Sequence, residues 1–223
     1  MNNLDQAPPE DASADVALGP FNLPPPPPLT AEETAEYSKG AVVRVFGTLN
    51  ALDQTPPTKN PQARGFNRIA GANQDRDAWI TILTRLATRA TASLEDTSIK
   101  SESRSISKSG FILANAVRES MYIYIIEDFR RRIGVAIAWL NEEWYNDRVV
   151  RQANPDAEYM PEHYEKWMLK VLDGIMPFIE SNDRNLLIRF LSEVPAVNED
   201  VLKRVIRLAK DPERVQLVVM ALT

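Results

Sequence analysis

Hydrophobic side chains recur at steps of three and four along most of the chain, which is the spacing of one face of an α-helix. The clearest stripe lies in the middle and contains Tyr122, Ile126, Phe129, Ile133, Ile137, Leu140 and Trp144. Ile125, Val135 and Trp139 lie off this stripe, so the segment is apolar nearly all round. The pattern predicts one helix from about Phe111 to Val150, packed between neighbours.

Two helices are predicted before this central segment. Thr30 followed by Glu33 has the spacing of a capping box, and apolar positions continue from there to Leu49. A second helix is predicted from about Asp75 to Ala92, with one apolar face formed by Trp79, Ile82, Leu83 and Leu86. The stretch between them, "DQTPPTKNPQARG", is predicted to be a loop because its prolines and its Gly stop a helix.

The C-terminal part predicts several shorter helices in quick succession. Pro161 suits the first turn of one helix, Asn198 the N-cap of another, and Asp211 with Pro212 the start of the last. Helices of about ten to fifteen residues with short turns are typical of HEAT-like α-solenoids, although no sequence repeat is visible. The last helix stops at "VVMALT" without a cap, so we expect the chain to be part of a longer protein.

Two segments interrupt the helical pattern. Residues 1–29 contain eight of the sixteen prolines, including the run Pro24–Pro28, and are predicted to form a disordered leader. This leader is read as a spacer, and the alternative is a polyproline II ligand for SH3 or WW domains. A mobile Ser- and Lys-rich loop is predicted near residues 94–110. The helical domain is therefore expected to span residues 30–223.

The charge distribution bears on the class of partner. The net charge is −5, and the four acids before Thr30 account for most of it. The rest of the chain is nearly neutral, with 27 acidic and 26 basic residues. A domain that binds nucleic acid through its phosphates normally has a basic excess. The composition therefore favours a protein partner.

Several kinds of chemistry are excluded by residue content. The chain has no Cys and one His, His163, so disulfides and thiolate zinc sites are excluded and a Ser-His-Asp triad has a single possible base. No phosphate-binding glycine motif occurs, since Gly65 and Gly71 do not have the required spacing. No apolar run is long enough to cross a bilayer, and the acidic, proline-rich N-terminus is unlike a signal peptide. We therefore expect an intracellular protein, cytosolic or nuclear, without catalytic, cofactor-binding or metal-binding residues.

The segment "NEEWYND" contains three carboxylates and is therefore a candidate catalytic or metal site. Glu143 and Asp147 lie on one helix face, but a carboxylate metal bundle also needs a His at i+3, which is absent. We interpret Glu142, Glu143 and Asp147 as a helix end emerging into solvent. The neighbouring aromatic side chains are interpreted as packing anchors that need one polar partner each, and these are Trp139, Trp144 and Tyr145.

The basic run at Arg130, Arg131 and Arg132 allows two interpretations. Glu127 and Asp128 precede it at helical spacing, so ion pairs along the helix are expected to neutralise much of it. The alternative is an RNA-binding module in which these arginines and Arg148 contact phosphates while Trp and Tyr side chains stack on bases. His163 lies between two glutamates and is interpreted as a surface or capping residue.

Four stretches resemble the fungal branch of symplekin, the scaffold of the nuclear mRNA cleavage and polyadenylation machinery. They are "NRIAGANQDRDAWITILTRLATR", "FRRRIGVAIAWLNEEWYNDR", "HYEKWMLKVLDGIMPFIESNDRNLLIRFLSEVPAVNEDVLKRV" and "LAKDPERV". The resemblance covers about residues 25–223 and implies a long helical scaffold without catalytic residues. It also implies protein partners from that machinery and a nuclear location. This chain is shorter than a whole symplekin and would correspond to its middle or carboxy-terminal part.

The sequence therefore predicts an all-α, HEAT-like solenoid or helical bundle behind a disordered leader. Its expected function is to hold protein partners together in pre-mRNA 3′-end processing. A helical scaffold of an unrelated complex and an RNA-binding module are the alternatives.

Overall fold

The computed structural model describes residues 27–54, 73–89, 103–153, 155 and 162–222, and all regular structure in these ranges is helical. The helices are α1 (Ala31–Gln54), α2 (Asn73–Arg89), α3 (Ser103–Glu127), α4 (Phe129–Ala153), α5 (His163–Ile175), α6 (Arg184–Glu193), α7 (Glu199–Leu208) and α8 (Val215–Leu222). Short 3₁₀ turns lie at Met176–Phe178, Ser181–Asp183 and Pro212–Arg214. None of the helices in these ranges has the length and hydropathy needed to span a bilayer.

The predicted long central helix is two helices. α3 ends at Glu127 and α4 begins at Phe129, so that Asp128 alone connects them. The Arg118 Nε donates to Glu143 Oε1 at 2.7 Å, although these residues are 25 apart in sequence. A continuous helix would separate them by about 37 Å. The prediction of one helix is therefore wrong, and α3 and α4 form an antiparallel hairpin.

A helix cap at Asp128 explains the break. Its carbonyl oxygen accepts from the Arg132 amide at 3.0 Å, and its Oδ1 accepts from the Arg131 amide at 3.4 Å. Asp is a favoured N-cap residue, so Asp128 was a signal for a new helix. The apolar stripe masked it, because Ile125 and Phe129 on the two sides of the turn are both buried in the same core.

Successive helices stack in the manner of an α-solenoid. α3 packs on α5 and α5 on α7, while α4 packs on α6 and α6 on α8. α1 and α2 cover the other side of α3. Each helix therefore contacts mainly its neighbours in the stack, as in HEAT-like repeats. The predicted all-α, HEAT-like fold is confirmed.

The core is centred on the α3–α4 hairpin and α5. Trp139 and Leu140 are fully buried, as their positions predict, and the ring of Trp139 lies 5.1 Å from that of Trp167. α5 approaches α3 closely at Gly174, where a Cβ atom would lie 2.7 Å from the Tyr122 hydroxyl. The absence of a side chain at Gly174 lets these two layers meet.

The buried face of α2 differs from the predicted one. Of the predicted face only Leu83 is buried, whereas Trp79, Ile82 and Leu86 are exposed. The buried side instead includes two threonines, Thr84 and Thr88, as well as Ile80 and Ala87. The Thr84 hydroxyl donates to the carbonyl of Ile80 at 2.8 Å. Because this bond satisfies the hydroxyl, Thr84 can be buried in the core. The prediction counted only apolar residues and therefore assigned the wrong face of α2 to the core.

The predicted helix caps are confirmed, whereas one of the predicted loops is partly helical. The Thr30 amide donates to Glu33 at 2.9 Å and the Glu33 amide to the Thr30 hydroxyl at 3.2 Å, which confirms the capping box. Asn198 and Asp211 accept from backbone amides at 2.9 and 3.1 Å, as predicted.

The loop predicted near residues 94–110 is wrong from Ser103 onward, because α3 begins at Ser103. Extending an existing helix costs less free energy than starting one, so the Ser and Lys residues that precede the apolar part of α3 are also helical. Residues 1–26 of the predicted leader, 55–72 and 90–102 lie outside the described ranges.

Candidate functional site

A buried ion pair joins α3 to α4. Besides the Nε bond, the Arg118 Nη2 donates to Glu143 Oε2 at 3.0 Å, and both side chains are 0% exposed. The Trp139 indole donates to Glu143 Oε1 at 2.8 Å, which is the single polar partner expected for this aromatic anchor. The interpretation of "NEEWYND" as an emerging helix end is therefore wrong for Glu143. Its position four residues after Trp139 placed it on the buried face.

The other members of that segment are closer to the surface. Glu142 is partly exposed and accepts from the Arg89 guanidinium at 3.3 Å. Tyr145 is exposed and is not a packing anchor, which corrects the prediction. Trp144 is half-buried and lies under the Arg148 guanidinium, with 4.6 Å between the guanidinium carbon and the ring centre. Buried and exposed positions thus alternate along the segment, and Asn146 is buried again after the exposed Tyr145.

Asp147 and His163 meet where α4 faces the start of α5. Asp147 Oδ2 accepts from the Tyr164 backbone amide at 2.7 Å and so caps α5 from another helix. Burial raises the pKa of Asp147 to about 6, and the nearby Glu143 carboxylate contributes to the rise. Burial also lowers the pKa of His163, with a smaller contribution from the charge of Arg118. His163 is half-buried and is the first residue of α5, whose N-cap is Glu162, so His163 is not the helix cap that was one of its two interpretations.

The raised pKa gives a prediction for stability against pH. A carboxyl whose pKa is higher in the folded state stabilises the fold fully below its ordinary pKa, near 4, and loses that contribution as pH rises through about 6. We expect Asp147→Asn to gain stability relative to the parent chain between pH 4.5 and pH 7.5. Urea unfolding of both proteins at the two pH values measures this difference.

Asp183 provides a control of opposite sign. The hydrogen bonds from Arg130 lower the pKa of Asp183, so its contribution is present above the ordinary carboxyl pKa and is lost as pH falls. The stability difference between the parent chain and Asp183→Asn should therefore grow as pH rises to the ordinary carboxyl pKa, near 4, and change little between pH 4.5 and pH 7.5. Identical pH dependence in the Asp147→Asn variant and the parent chain would contradict the assignment for Asp147.

The arginine run of α4 is held by acids from other helices. Arg130 donates to both oxygens of Asp183 at 2.8 Å, and Arg132 donates to Asp53 at 2.8 and 3.0 Å. Arg131 is 65% exposed and lies 3.5 Å from Asp128. The expected partner Asp128 is thus confirmed for Arg131, and Glu127 lies 3.8 Å from Arg132. The strongest contacts, however, are with two acids far away in the sequence.

Asp53 links four helices, and sequence reasoning missed it. It lies in the last turn of α1 and its side chain is 5% exposed. Besides Arg132 of α4, it pairs with Arg76 of α2 and accepts from the Tyr124 hydroxyl of α3 at 2.9 Å. Burial raises its pKa, but these hydrogen bonds outweigh burial and lower the pKa overall. The sequence predicted that a loop begins at "DQ", so Asp53 was not expected to contact other helices. In the structure α1 continues to Gln54 and includes Asp53.

A groove of about 210 Å³ lies where the end of α4, the start of α5 and the α6–α7 connection meet. Its apolar part comes from Trp144, Met168 and Val201, and its charged part includes Arg148 and Glu165. The Tyr164 hydroxyl bonds to the backbone of Ala196, which fixes the α6–α7 connection against α5. In the described ranges no group of three or more acids and His has the geometry of a metal site. The lining of the groove thus combines apolar side chains with charged side chains of both signs.

A curated relative matches nearly the whole chain. It is the mRNA cleavage and polyadenylation specificity factor complex subunit pta1 of Schizosaccharomyces pombe, which is 30% identical over 213 residues. The match covers 92% of this chain and 31% of the relative, so the chain spans about a third of that protein's length. No family model matches the chain, and no solved structure matches it. The match confirms the resemblance of this chain to the fungal symplekin family, and the helical solenoid described above is consistent with it.

Proposed function

We propose that this chain is a non-enzymatic scaffold that holds together protein subunits in nuclear pre-mRNA 3′-end cleavage and polyadenylation. The observation that carries the proposal is the match over 92% of the chain to a subunit of a cleavage and polyadenylation factor complex. The nuclear location is part of the same proposal, since that processing acts on nuclear transcripts.

The surface of the solenoid supports the scaffold part of the proposal. α7 exposes Leu202 and Ile206, and α8 exposes Val215 and Val219, in both cases four residues apart on one side of the helix. The opposite sides of these helices pack on α5 and α6. Exposed apolar side chains that line up on a helix are typical of protein–protein contact surfaces.

The RNA-binding alternative is disfavoured by the arginine contacts. A guanidinium whose N–H groups already donate within the protein has few donors left for phosphate. Arg130 donates to both oxygens of Asp183, and Arg132 donates twice to Asp53 Oδ2 and once to the Tyr124 carbonyl. Arg131 remains exposed next to Asp128. We therefore expect weak binding of single-stranded RNA at about 0.15 M salt, since few counterions would be released.

Affinity purification from nuclear extract tests the proposal. The tagged chain is expressed in Schizosaccharomyces pombe, and co-purified proteins are identified by mass spectrometry with and without RNase. We expect subunits of the cleavage and polyadenylation complex to be enriched, and to remain after RNase because protein contacts hold them. The variant Arg131→Glu is the matched control: it reverses the most exposed charge of the run and should recover the same subunits.

Two results would contradict the scaffold proposal. One is the absence of these subunits from the purified material. The other is their loss on RNase treatment and in Arg131→Glu, which would place RNA between the chain and the complex. Submicromolar affinity for a fluorescent single-stranded RNA would support that second outcome.

A further inference from the structure

The groove between α4, α5 and the α6–α7 connection combines an apolar floor with unmatched charges. At about 210 Å³ it is smaller than most small-molecule pockets, which measure roughly 300–1,000 Å³. It has room for one or two side chains of a bound segment. Its floor of Trp144, Met168 and Val201 suits an apolar side chain.

One edge of the groove carries a cation, Arg148, that has no acidic partner among the residues that the structure describes. The Arg148 side chain is exposed and stacks on Trp144, and it makes no ion pair with any residue in the described ranges. By contrast, its neighbour Arg151 is paired with Glu162. Stacking on an aromatic face holds a guanidinium plane in place, and the N–H donors at the edge of that plane can still bind a carboxylate.

The α5 side of the groove carries an acid, Glu165, that has no basic partner within the described ranges. Glu165 is half-buried and accepts from the Asn198 side chain, but among the described residues no Lys or Arg pairs with it. Two further acids, Glu162 and Asp200, lie close enough to raise its pKa, after the larger effect of burial. A carboxylate next to other acids attracts a cation from outside.

We propose that this groove docks an extended segment of a protein partner with the pattern acid, apolar residue, base. The acid pairs with Arg148, the apolar side chain lies on Trp144 and Met168, and the Lys or Arg pairs with Glu165. The proposal rests on the proposed function, in which the chain holds protein partners, and adds the chemistry by which one partner is recognised.

Charge complementarity favours a peptide segment over other occupants. An RNA strand would bring phosphates towards Glu162, Glu165 and Asp200, where carboxylates repel them. A cofactor would need a larger and more enclosed space. A segment with charges of both signs satisfies both edges of the groove, and mixed-charge contacts of this kind set specificity and register.

Selection from a peptide library tests the pattern. Random nine-residue peptides displayed on phage are selected against the purified full chain. We expect enriched peptides to share an acid, an apolar residue and a base in this order or its reverse. A synthetic peptide with the enriched sequence should bind Arg148→Glu about tenfold or more weakly, since a charged hydrogen bond is lost.

Changes in the groove should alter the selected pattern in a defined way. Selection against Arg148→Glu should replace the acid by a base, and selection against Glu165→Gln should remove the preference for a base. Arg207→Glu is the matched control, because Arg207 is exposed on α7 and does not line the groove. Its selected pattern should equal that of the parent chain. Far-ultraviolet circular dichroism verifies that each variant is folded.

Three outcomes would overturn the groove proposal. The first is that selection against the parent chain enriches no common peptide pattern, and the second is that Arg148→Glu selects the same pattern as the parent chain. The third is that the parent chain sediments as a dimer and Arg148→Glu as a monomer, which would make a second copy of the chain the occupant of the groove.

The proposed function is judged separately, by affinity purification. If the parent chain and Arg148→Glu recover the same subunits and selection fails, the groove proposal fails while the scaffold stands. If the parent chain recovers no subunits, the scaffold proposal fails whatever the selection shows.

Discussion

Replacement of Glu143 by Gln is expected to lower the free energy of unfolding by about 3–5 kcal/mol. Glu143 and Arg118 are both fully buried, and each satisfies the charge of the other. Gln has nearly the same shape as Glu, so the variant creates no cavity and leaves an uncompensated guanidinium in the core. Urea unfolding at pH 7, with the slope compared between proteins, measures the loss.

A surface ion pair provides the control for Glu143. Lys170 and Glu119 also join two helices, but both side chains are partly exposed. Exposed pairs contribute about 0–1 kcal/mol, so Glu119→Gln should have a small effect. An equally small effect of Glu143→Gln would show that water reaches the Arg118–Glu143 pair, against the buried arrangement described above.

The double variant Arg118→Met, Glu143→Leu separates charge from packing. Buried ion pairs can often be replaced by apolar side chains of similar volume with little loss, because neither charge is then left in the core. We expect this variant to be more stable than Glu143→Gln. It should still be less stable than the parent chain, since the Trp139 indole N–H loses its acceptor, at a cost of about 1–3 kcal/mol.

Trp139→Ala is expected to lower the free energy of unfolding by about 3–5 kcal/mol. Trp139 is fully buried and contacts the ring of Trp167, so truncation removes buried apolar surface and leaves a large cavity. Leu140→Ala, at the next fully buried position, should cost about 2–5 kcal/mol. Chemical denaturation monitored by circular dichroism measures both losses.

Trp79 is the matched control for Trp139. It is the same residue type on a helix of the same domain, but 44% of its surface is exposed. Surface substitutions usually change stability little, so we expect Trp79→Ala to cost about 1 kcal/mol or less. A free energy of unfolding that is unchanged in Trp139→Ala and clearly lowered in Trp79→Ala would contradict the burial described here. It would mean that Trp79 lies in the core and Trp139 on the surface.

Local signals in the sequence were sufficient for the fold class and for several helix ends. The capping box at Thr30 and the cap at Asn198 act through residues three positions away, so their structure follows from local spacing alone. The apolar content of the Trp139 region likewise predicted burial correctly. Each of these depends on neighbours along the chain.

The hairpin between α3 and α4 was not predictable from periodicity. Residues on both sides of the turn are buried, so the apolar spacing of α3 continues into α4. One long helix and two helices joined by a turn therefore give the same apolar pattern in the sequence. The only local sign was Asp128, an N-cap residue that is also common on helix surfaces. Tertiary packing decided the matter, since Arg118 and Glu143 meet only when the chain reverses.

The partners of the charged residues, and with them the groove, were decided by the tertiary structure alone. Residue types and helical spacing determined that Arg130, Arg131 and Arg132 would lie together on a helix near acids. They did not determine that Asp53 and Asp183 would hold two of them, at sequence separations of 79 and 53 residues. Nor did they indicate that no acid in the described part of the chain would pair with Arg148. Helical periodicity reports contacts within a few residues, whereas ion pairs between layers depend on which helices the solenoid brings together.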